Sequence, residues 1–532
     1  MKPKGNHLDY FTRLYESARS AYMPALEELD RCFTQYETGK ASMRDASGVV
    51  RNISYELIEA QISSDIPRPR VSPVVRDDLH ERNAEAIEVL CRDLRSRLPF
   101  ERLNDLDERL TYIAGGSIWL VEWDAERNEP KLSIIDPRDF IPEPGVTELD
   151  RMSYCFVVVR KSPDELLKDF GKSVSTARNE NTDSAEIVIC YYKNDDGDIC
   201  RYVFSGNTEL SDDDMLFIRR VPQTGEPLAN ERITEPLRVS TGCIPRTSLP
   251  YYRPRRFPIA IRRNISRNSA LLGQSDCAVI APQQSAINRI ETRIHQKLVR
   301  ACVMPYMPED CRVSPNNAVF GEVIKTDADA SGSFGIIDTT PNIDQDIAQS
   351  DRLYEHARKL LGITDSYTGN SDGAALSGYA IALRVSQSAG RLRSRRIMKN
   401  ALYAELDRLM LEQYLAFCDD SITLGYTDTY GKRHTPVFDR HEFLILCDDG
   451  WKYDDGYMFS VDRSVTPDDA NRHSMWEITL SFFREGLFGE PTSNRARRLC
   501  WSRLEQLGYP DAQIAAGVFD TDEKPKGEEA KL

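Results

Sequence analysis

The chain has 532 residues, with 69 Lys and Arg against 84 Asp and Glu, a formal balance of −15, and 40% of its positions are hydrophobic. At about 100–200 residues per domain this length predicts three or four structural units, and 29% charged with 9% aromatic residues lies far from a disordered composition. Apolar runs such as Ser117-Ile118-Trp119-Leu120-Val121 are broken at once by Glu122, far short of the ~18 apolar residues a membrane span needs.

The first third mixes helices and strands. Residues 8–35 place apolar or aromatic side chains at helical spacing (Phe11, Leu14, Tyr15, Ala18, Tyr22, Ala25, Leu26), and residues 80–113 do so again from Ala84 to Leu110. Strands are predicted over 116–123, 131–135 and 155–159. A hairpin follows over 186–192 and 199–204, because Asp196-Gly197 supplies the positive φ its turn requires. Gly171-Lys172-Ser173 has the end of a phosphate-binding loop but not its start: Leu166, in the helical run 164–168, stands where the first glycine is needed, so Gly171 reads as a helix cap. A Pro-rich segment, 249–258, closes this part.

A different pattern begins near residue 275. Ile287, Ile290, Ile294 and Leu298 mark one face of a long helix, with Ser275-Asp276 as its start and Pro282 inside it. After a compact stretch of short strands, a second helix begins near Asn342 and stops at Gly362. Its inward row is Ile343, Ile347, Ser350, Tyr354, Ala357 and Leu361, a 3.5-residue repeat suited to side-by-side packing. Residues 364–373 are small, polar and rich in glycine, a loop by composition. A long helix spans about 375–417, a β-rich piece 421–463 and further helices 467–515, ahead of a charged tail.

Catalytic signatures are missing from this sequence. His441-Glu442 opens like a zinc-protease helix, but Ile445 stands where the second histidine belongs, and no GxSxG or GxGxxG occurs in context. The twelve cysteines are scattered singly, without a CxxC pair, as buried thiols of a reducing compartment are, so no disulfide, metal or cofactor is expected. Met1 to His7 is polar with no apolar stretch behind it, which predicts a cytoplasmic protein.

This order of elements resembles the portal protein of tailed double-stranded-DNA bacteriophages over nearly the whole chain. The most specific stretches are Leu249-Pro250-Tyr251 through Phe257-Pro258, then Gly273-Gln274-Ser275-Asp276, then Pro282-Gln283-Gln284-Ser285-Ala286-Ile287-Asn288-Arg289, with the polar loop 364–378 placed as the family's tunnel loop would be. The resemblance implies an α+β, portal-type ring subunit: wing (1–272), stem helices (273–300 and 342–362) with a small β-containing clip (301–341) between them, tunnel loop (363–378), long helix and second part of the wing (379–465), helical crown (466–515) and charged tail (516–532). It further implies a non-enzymatic head–tail connector at the capsid vertex of the virion, assembled in the host cytoplasm as a ring, usually of twelve copies. Genomic DNA would be packaged and ejected through it. Its implied partners are other copies of itself, double-stranded DNA, the large terminase subunit, the major capsid and scaffolding proteins and a head-completion or adaptor protein, with no membrane. The alternative is a nucleic-acid-processing enzyme of unfamiliar family.

Three sets of residues carry the expected interactions. On the first stem helix Arg289, Arg293, Lys297 and Arg300 form a basic stripe; on the second Asp344, Asp351 and Glu355 form an acidic one. They read as solvated faces, as inter-helix or inter-subunit ion pairs, or, for the basic stripe, as phosphate contacts. On the long helix Arg384, Ser388, Arg391, Arg395 and Lys399 form another basic stripe, a wet surface or a DNA or subunit contact, with Met398, Leu402, Leu406 and Leu409 on the core side. In the loop, Tyr367, Thr368, Asn370, Ser371 and Asp372 either brush DNA in the channel or belong to a surface loop without a task.

Overall fold

The computed structural model describes residues 7–40, 48–171, 184–195, 197–213, 237–239, 242–244, 252, 254–268, 270–300, 303–306, 335–338, 341–363, 378–418, 421–424, 426–427, 433–434, 437–447, 450–461, 469–490 and 493–506. Among these residues the helices are α1 (His7–Thr38), α2 (Ile53–Glu59), α3 (Asp78–Arg97), α4 (Phe100–Ala114), α5 (Pro163–Phe170), α6 (Asp276–Arg300), α7 (Asp344–Leu361), α8 (Gly378–Phe417), α9 (Asp469–Arg484) and α10 (Asn494–Gln506). The class is mixed helix and sheet. No described helix is long and apolar enough to cross a membrane.

The chain forms two compact units: unit 1 is Met1–Leu29, Ile62–Ser275 and Asp365–Leu532, and unit 2 is Asp30–Gln61 with Asp276–Thr364. Residues 30–61, which the sequence groups with the rest of 1–272, therefore pack in unit 2. Their partners lie more than two hundred positions downstream, beyond the reach of local pattern.

In unit 1 a five-stranded antiparallel meander runs β4 (Phe140–Pro142), β5 (Tyr154–Lys161), β6 (Ala185–Lys193), β7 (Ile199–Ser205) and β8 (Thr208–Asp213). Alternation sends Phe156, Cys190, Tyr202 and Phe204 to one face, where Phe11, Tyr15 and Ala18 of α1 cover them, and Ile187 and Val203 to the other, under Leu166 of α5. The predicted hairpin is β6–β7, with Gly197 at φ +85°. Gly171 ends α5 in the left-handed region, as a cap and not a phosphate loop. Helix α5 also has a capping box, Ser162 with Glu165.

A second sheet orders β11 (Ile259–Arg263), β2 (Gly116–Asp124) and β3 (Glu129–Ile135), and α8 packs on all three strands. Strand β1 (Pro69–Pro73) pairs with β20 (Tyr457–Val461), β9 (Leu237–Val239) with β10 (Gly242–Ile244), β14 (Ile422–Thr423) with β17 (Val437–Phe438), β15 (Tyr426–Thr427) with β16 (Arg433–His434), and β18 (Leu444–Cys447) with β19 (Gly450–Tyr453), all antiparallel. The single helical span expected over 80–113 is two helices, since Leu98-Pro99 breaks it: Leu98 is extended and Pro99 caps α4. Helices α9 and α10 join through Trp476, Leu480, Phe483, Phe488, Cys500, Trp501 and Leu504.

The segment Gly273-Gln274-Ser275 is clasped by the turn between α4 and β2. Gly115 has φ +83° and its carbonyl accepts from the backbone N–H groups of Asn264 and Gly273, both at 2.9 Å. A Cβ on Gly115 would stand 2.3 Å from the Gly273 carbonyl oxygen, and one on Gly273 2.5 Å from that of Ile265, so both positions require glycine. Ser275 Oγ donates to the Ile113 carbonyl at 2.5 Å, closing the clasp.

In unit 2, α6 runs on through Pro282. Ile287, Ile290 and Ile294 are buried as their spacing predicts, whereas Leu298 is half exposed. A core of Ile53, Leu57, Ile280, Ile287, Ala357, Leu361 and Ile363 joins α2, α6 and α7. Strands β12 (Val303–Tyr306) and β13 (Gly335–Asp338) pair antiparallel between α6 and α7; most of the expected clip lies outside the described residues. Gly362, at φ +79°, stops α7 as expected.

Candidate functional site

Helices α6 and α7 form an antiparallel hairpin whose contacts run in opposite order along the two chains. Lys297 and Arg293 reach Asp346 near the start of α7, Ser350 Oγ donates to Glu291 Oε1 at 2.9 Å, and Ile287 packs with Ala357 and Leu361 near its end. The salt bridge from Arg293 Nη2 to Asp346 Oδ1 is 2.7 Å. The hydrogen bond from Lys297, with the Arg293 charge beside it, holds the Asp346 carboxyl below its ordinary range.

Asp346 is the acid the sequence reading missed. It occupies the inward row in place of Ile347, which is 43% exposed. The sign pattern contained the clue, because Asp346, Ser350 and Ala357 share one helical line with Leu361, and the basic residues of α6 needed an acid on that line.

The residues of the expected acidic stripe share one line of α7 but not one partner. Asp351 faces Arg51 of the same unit at 3.7 Å, and Glu355 pairs with Arg358 of its own helix at 3.0 Å. Asp344 is exposed in the first turn of α7, its backbone N–H bonded to Asn342 Oδ1 at 2.9 Å. On the basic side Arg289 is exposed and bonds the Ser285 carbonyl at 3.3 Å; the Arg300 side chain lies outside the described residues.

The motif from Gln283 to Arg289 has a local role. Gln284 Oε1 accepts from the backbone N–H of Ser54 at 3.1 Å, and its Nε2 donates to the Arg51 carbonyl at 2.7 Å and to Asn288 Oδ1 at 3.0 Å. Asn288 Nδ2 donates to the Gly39 carbonyl at 2.6 Å, and Gln35 Nε2 to Ser54 Oγ at 2.8 Å and the Cys277 carbonyl at 2.9 Å. Spaced four apart on α6, Gln284 and Asn288 thus satisfy backbone groups of Gly39, Arg51 and Ser54.

The basic stripe of the long helix is divided. Arg395 and Lys399 are buried, each 5% exposed, and so belong neither to a wet surface nor to an open contact face; the side chains of Arg384 and Arg391 lie outside the described residues. Lys399 Nζ ion-pairs with Glu108 Oε1 at 2.9 Å, and Arg262 Nη1 donates to the same oxygen at 2.8 Å and also pairs with Asp107. Trp119 Nε1 donates to Asp107 Oδ1 at 2.8 Å, Ser117 bonds the same oxygen, and the Arg395 guanidinium lies 5.0 Å from the centre of the Tyr112 ring. Burial alone would raise the Glu108 carboxyl, but Arg262 and Lys399 hold it below its usual value. Further along α8, Tyr403 OH donates to Asn104 Oδ1 at 3.0 Å, and Arg95 Nη2 of α3 donates to Asp407 Oδ2 at 2.6 Å.

This ionic core escaped the sequence reading, although Asn104, Asp107, Glu108 and Thr111 lie at i, i+3, i+4 and i+7 on α4, a buried polar row. The core links α4, β2, β11 and α8 through charge.

Residues Tyr367, Thr368, Asn370, Ser371 and Asp372 lie outside the described residues. His441 and Glu442 lie in a short turn ahead of β18, where His441 Nδ1 meets Asp439 Oδ1 at 2.7 Å. Among the described residues no three His, Cys, Asp or Glu side chains converge as a metal site would require. Cys32, Cys91, Cys155, Cys190, Cys200, Cys277, Cys418 and Cys500 are buried, and burial pushes the Cys155, Cys190 and Cys277 thiols up. No protein-family model matches this sequence, and no curated protein matches it significantly.

Proposed function

We propose that the chain is a portal-type ring subunit, with α6 and α7 as the stem, the segment between them as the clip and α8 as the long helix after the tunnel loop. The observation that carries this reading is the antiparallel α6–α7 hairpin, cross-braced by Arg293, Lys297 and Asp346, with the 40-residue α8 following it. In such a stem Arg293 and Lys297 are held by Asp346, and Arg358 by Glu355. A stem that neutralises few phosphates lets DNA slide past it, since each phosphate contact there would steepen a salt-dependent grip. In this reading genomic DNA passes through the ring, and a separate terminase docked on the clip supplies the ATP hydrolysis. The purified protein forms closed rings of about twelve subunits, with a hole of about 20 Å or more, enough for B-form DNA. Mass photometry with negative-stain imaging tests this, and a monomer at micromolar concentration under every salt condition overturns it.

A further inference from the structure

We propose that α10 is a docking helix for the phosphate backbone of double-stranded DNA, engaged without regard to sequence. The helix carries four arginines, Arg495, Arg497, Arg498 and Arg503, and one acid, Glu505, in a chain whose overall balance is −15. Ala496, Cys500 and Leu504 are buried and fix its inner line against α9. At about 100° per residue the opposite line is Arg495, Arg498 and Ser502, with Arg497 and Arg503 on the two flanks, and all four arginines are exposed.

The inner line anchors the helix while the outer line and its flanks together present four guanidinium groups along about 12 Å of axis, close to the rise of three or four base pairs. Each guanidinium has five N–H donors in a planar fork, so a contact within the protein leaves donors for a phosphate oxygen. Acids elsewhere in this helical pair, Asp469, Glu477, Glu485 and Glu490, belong to α9 and the turn that follows it. The choice of DNA as the polyanion rests on the portal reading.

The test uses the purified full chain and a labelled duplex of mixed sequence, with binding followed by fluorescence anisotropy across a salt series. Arg495→Glu with Arg498→Glu removes two phosphate contacts, which lowers the slope of log affinity against log salt by about 1.8, so that between about 50 and about 200 mM salt the wild type loses about tenfold more affinity than the variant. Arg495→Lys with Arg498→Lys keeps the slope, and so does Arg127→Glu with Arg151→Glu, two exposed arginines elsewhere in unit 1. An unchanged slope in the reversal variant, or binding to phosphatidylglycerol vesicles but not to duplex, overturns the inference. Ring formation is scored on the same samples. Rings whose DNA binding ignores α10 remove this inference and leave the portal reading, whereas monomers whose DNA binding follows α10 do the reverse.

Discussion

Glu108 is the residue on which the ionic core of unit 1 turns, because it stands between two buried cations. Removing one partner of a buried set leaves a charge that nothing compensates, so Glu108→Gln costs about 3–5 kcal/mol in a denaturant melt. Lys399→Met costs less, since Glu108 keeps Arg262 and the methionine stem fills the space left by the lysine. The double variant recovers part of the loss of Glu108→Gln alone, and strict additivity of the two would disprove the coupling. Glu412 shows the opposite situation. Burial raises its carboxyl to about 8, against the pull of Arg256 and Arg408, with Glu405 and Asp455 adding to the rise. A native pKa above the unfolded one means that stability is complete below about pH 4.5 and declines as the pH rises towards 8. Glu412→Gln therefore flattens the fall in melting temperature across that window. Asp407, raised to about 6 by burial, contributes a smaller decline that persists in the variant. Asp346 has the reverse sign: its depressed pKa contributes stability above the ordinary carboxylate range, lost as the pH falls, and Asp346→Asn removes that acid limb.

At the scale of elements, the local signals were legible. Asp196-Gly197 marked the hairpin, Gly171 and Gly362 marked helix ends, and the isoleucine row marked the inner face of α6, because turns, caps and 3.6-residue periodicity act within a few positions. Partner choice was not legible. Apolar periodicity alone puts Ile347 in the inner row, yet Lys297 and Arg293 of α6 draw Asp346 there. Likewise Arg395 and Lys399 read as a wet surface or as a DNA or subunit contact, because Glu108, the acid that pairs with Lys399, lies nearly three hundred positions upstream. The clasp at Gly115 and Gly273 gives a test at this scale. Gly115→Ala meets both a left-handed backbone, costing about 1–2 kcal/mol, and a carbonyl that cannot move without breaking the clasp. Gly171→Ala meets only the backbone term, since nothing stands within 4 Å of a Cβ there, and chemical denaturation separates the two.

For the whole molecule, the candidate interactions are checked by charge reversal in unit 2. Arg293→Glu with Lys297→Glu destabilises unit 2 and lowers ring yield, and adding Asp346→Lys restores part of both, as read by limited proteolysis and mass photometry. If the triple variant is no better than the double, the cross-brace contributes nothing to assembly. Deleting 369–373 leaves rings intact and lowers the DNA retained per particle in a complementation assay; normal packaging would leave the channel's work to the stem.

Unit 2 is assembled from two separate stretches of chain, Asp30–Gln61 and Asp276–Thr364, and this has a consequence during synthesis. The first stretch leaves the ribosome with Ile53 and Leu57 ready for burial, but their partners on α6 are translated more than two hundred codons later. At about 5–20 residues per second that wait lasts about ten to forty seconds. For that interval the early segment is an unfinished half of a core, open to chaperones, proteases and neighbouring nascent chains on the same message. Ribosomes stalled before codon 276 will carry chains cleaved readily within 30–61, and those stalled well past codon 364 will carry chains that resist.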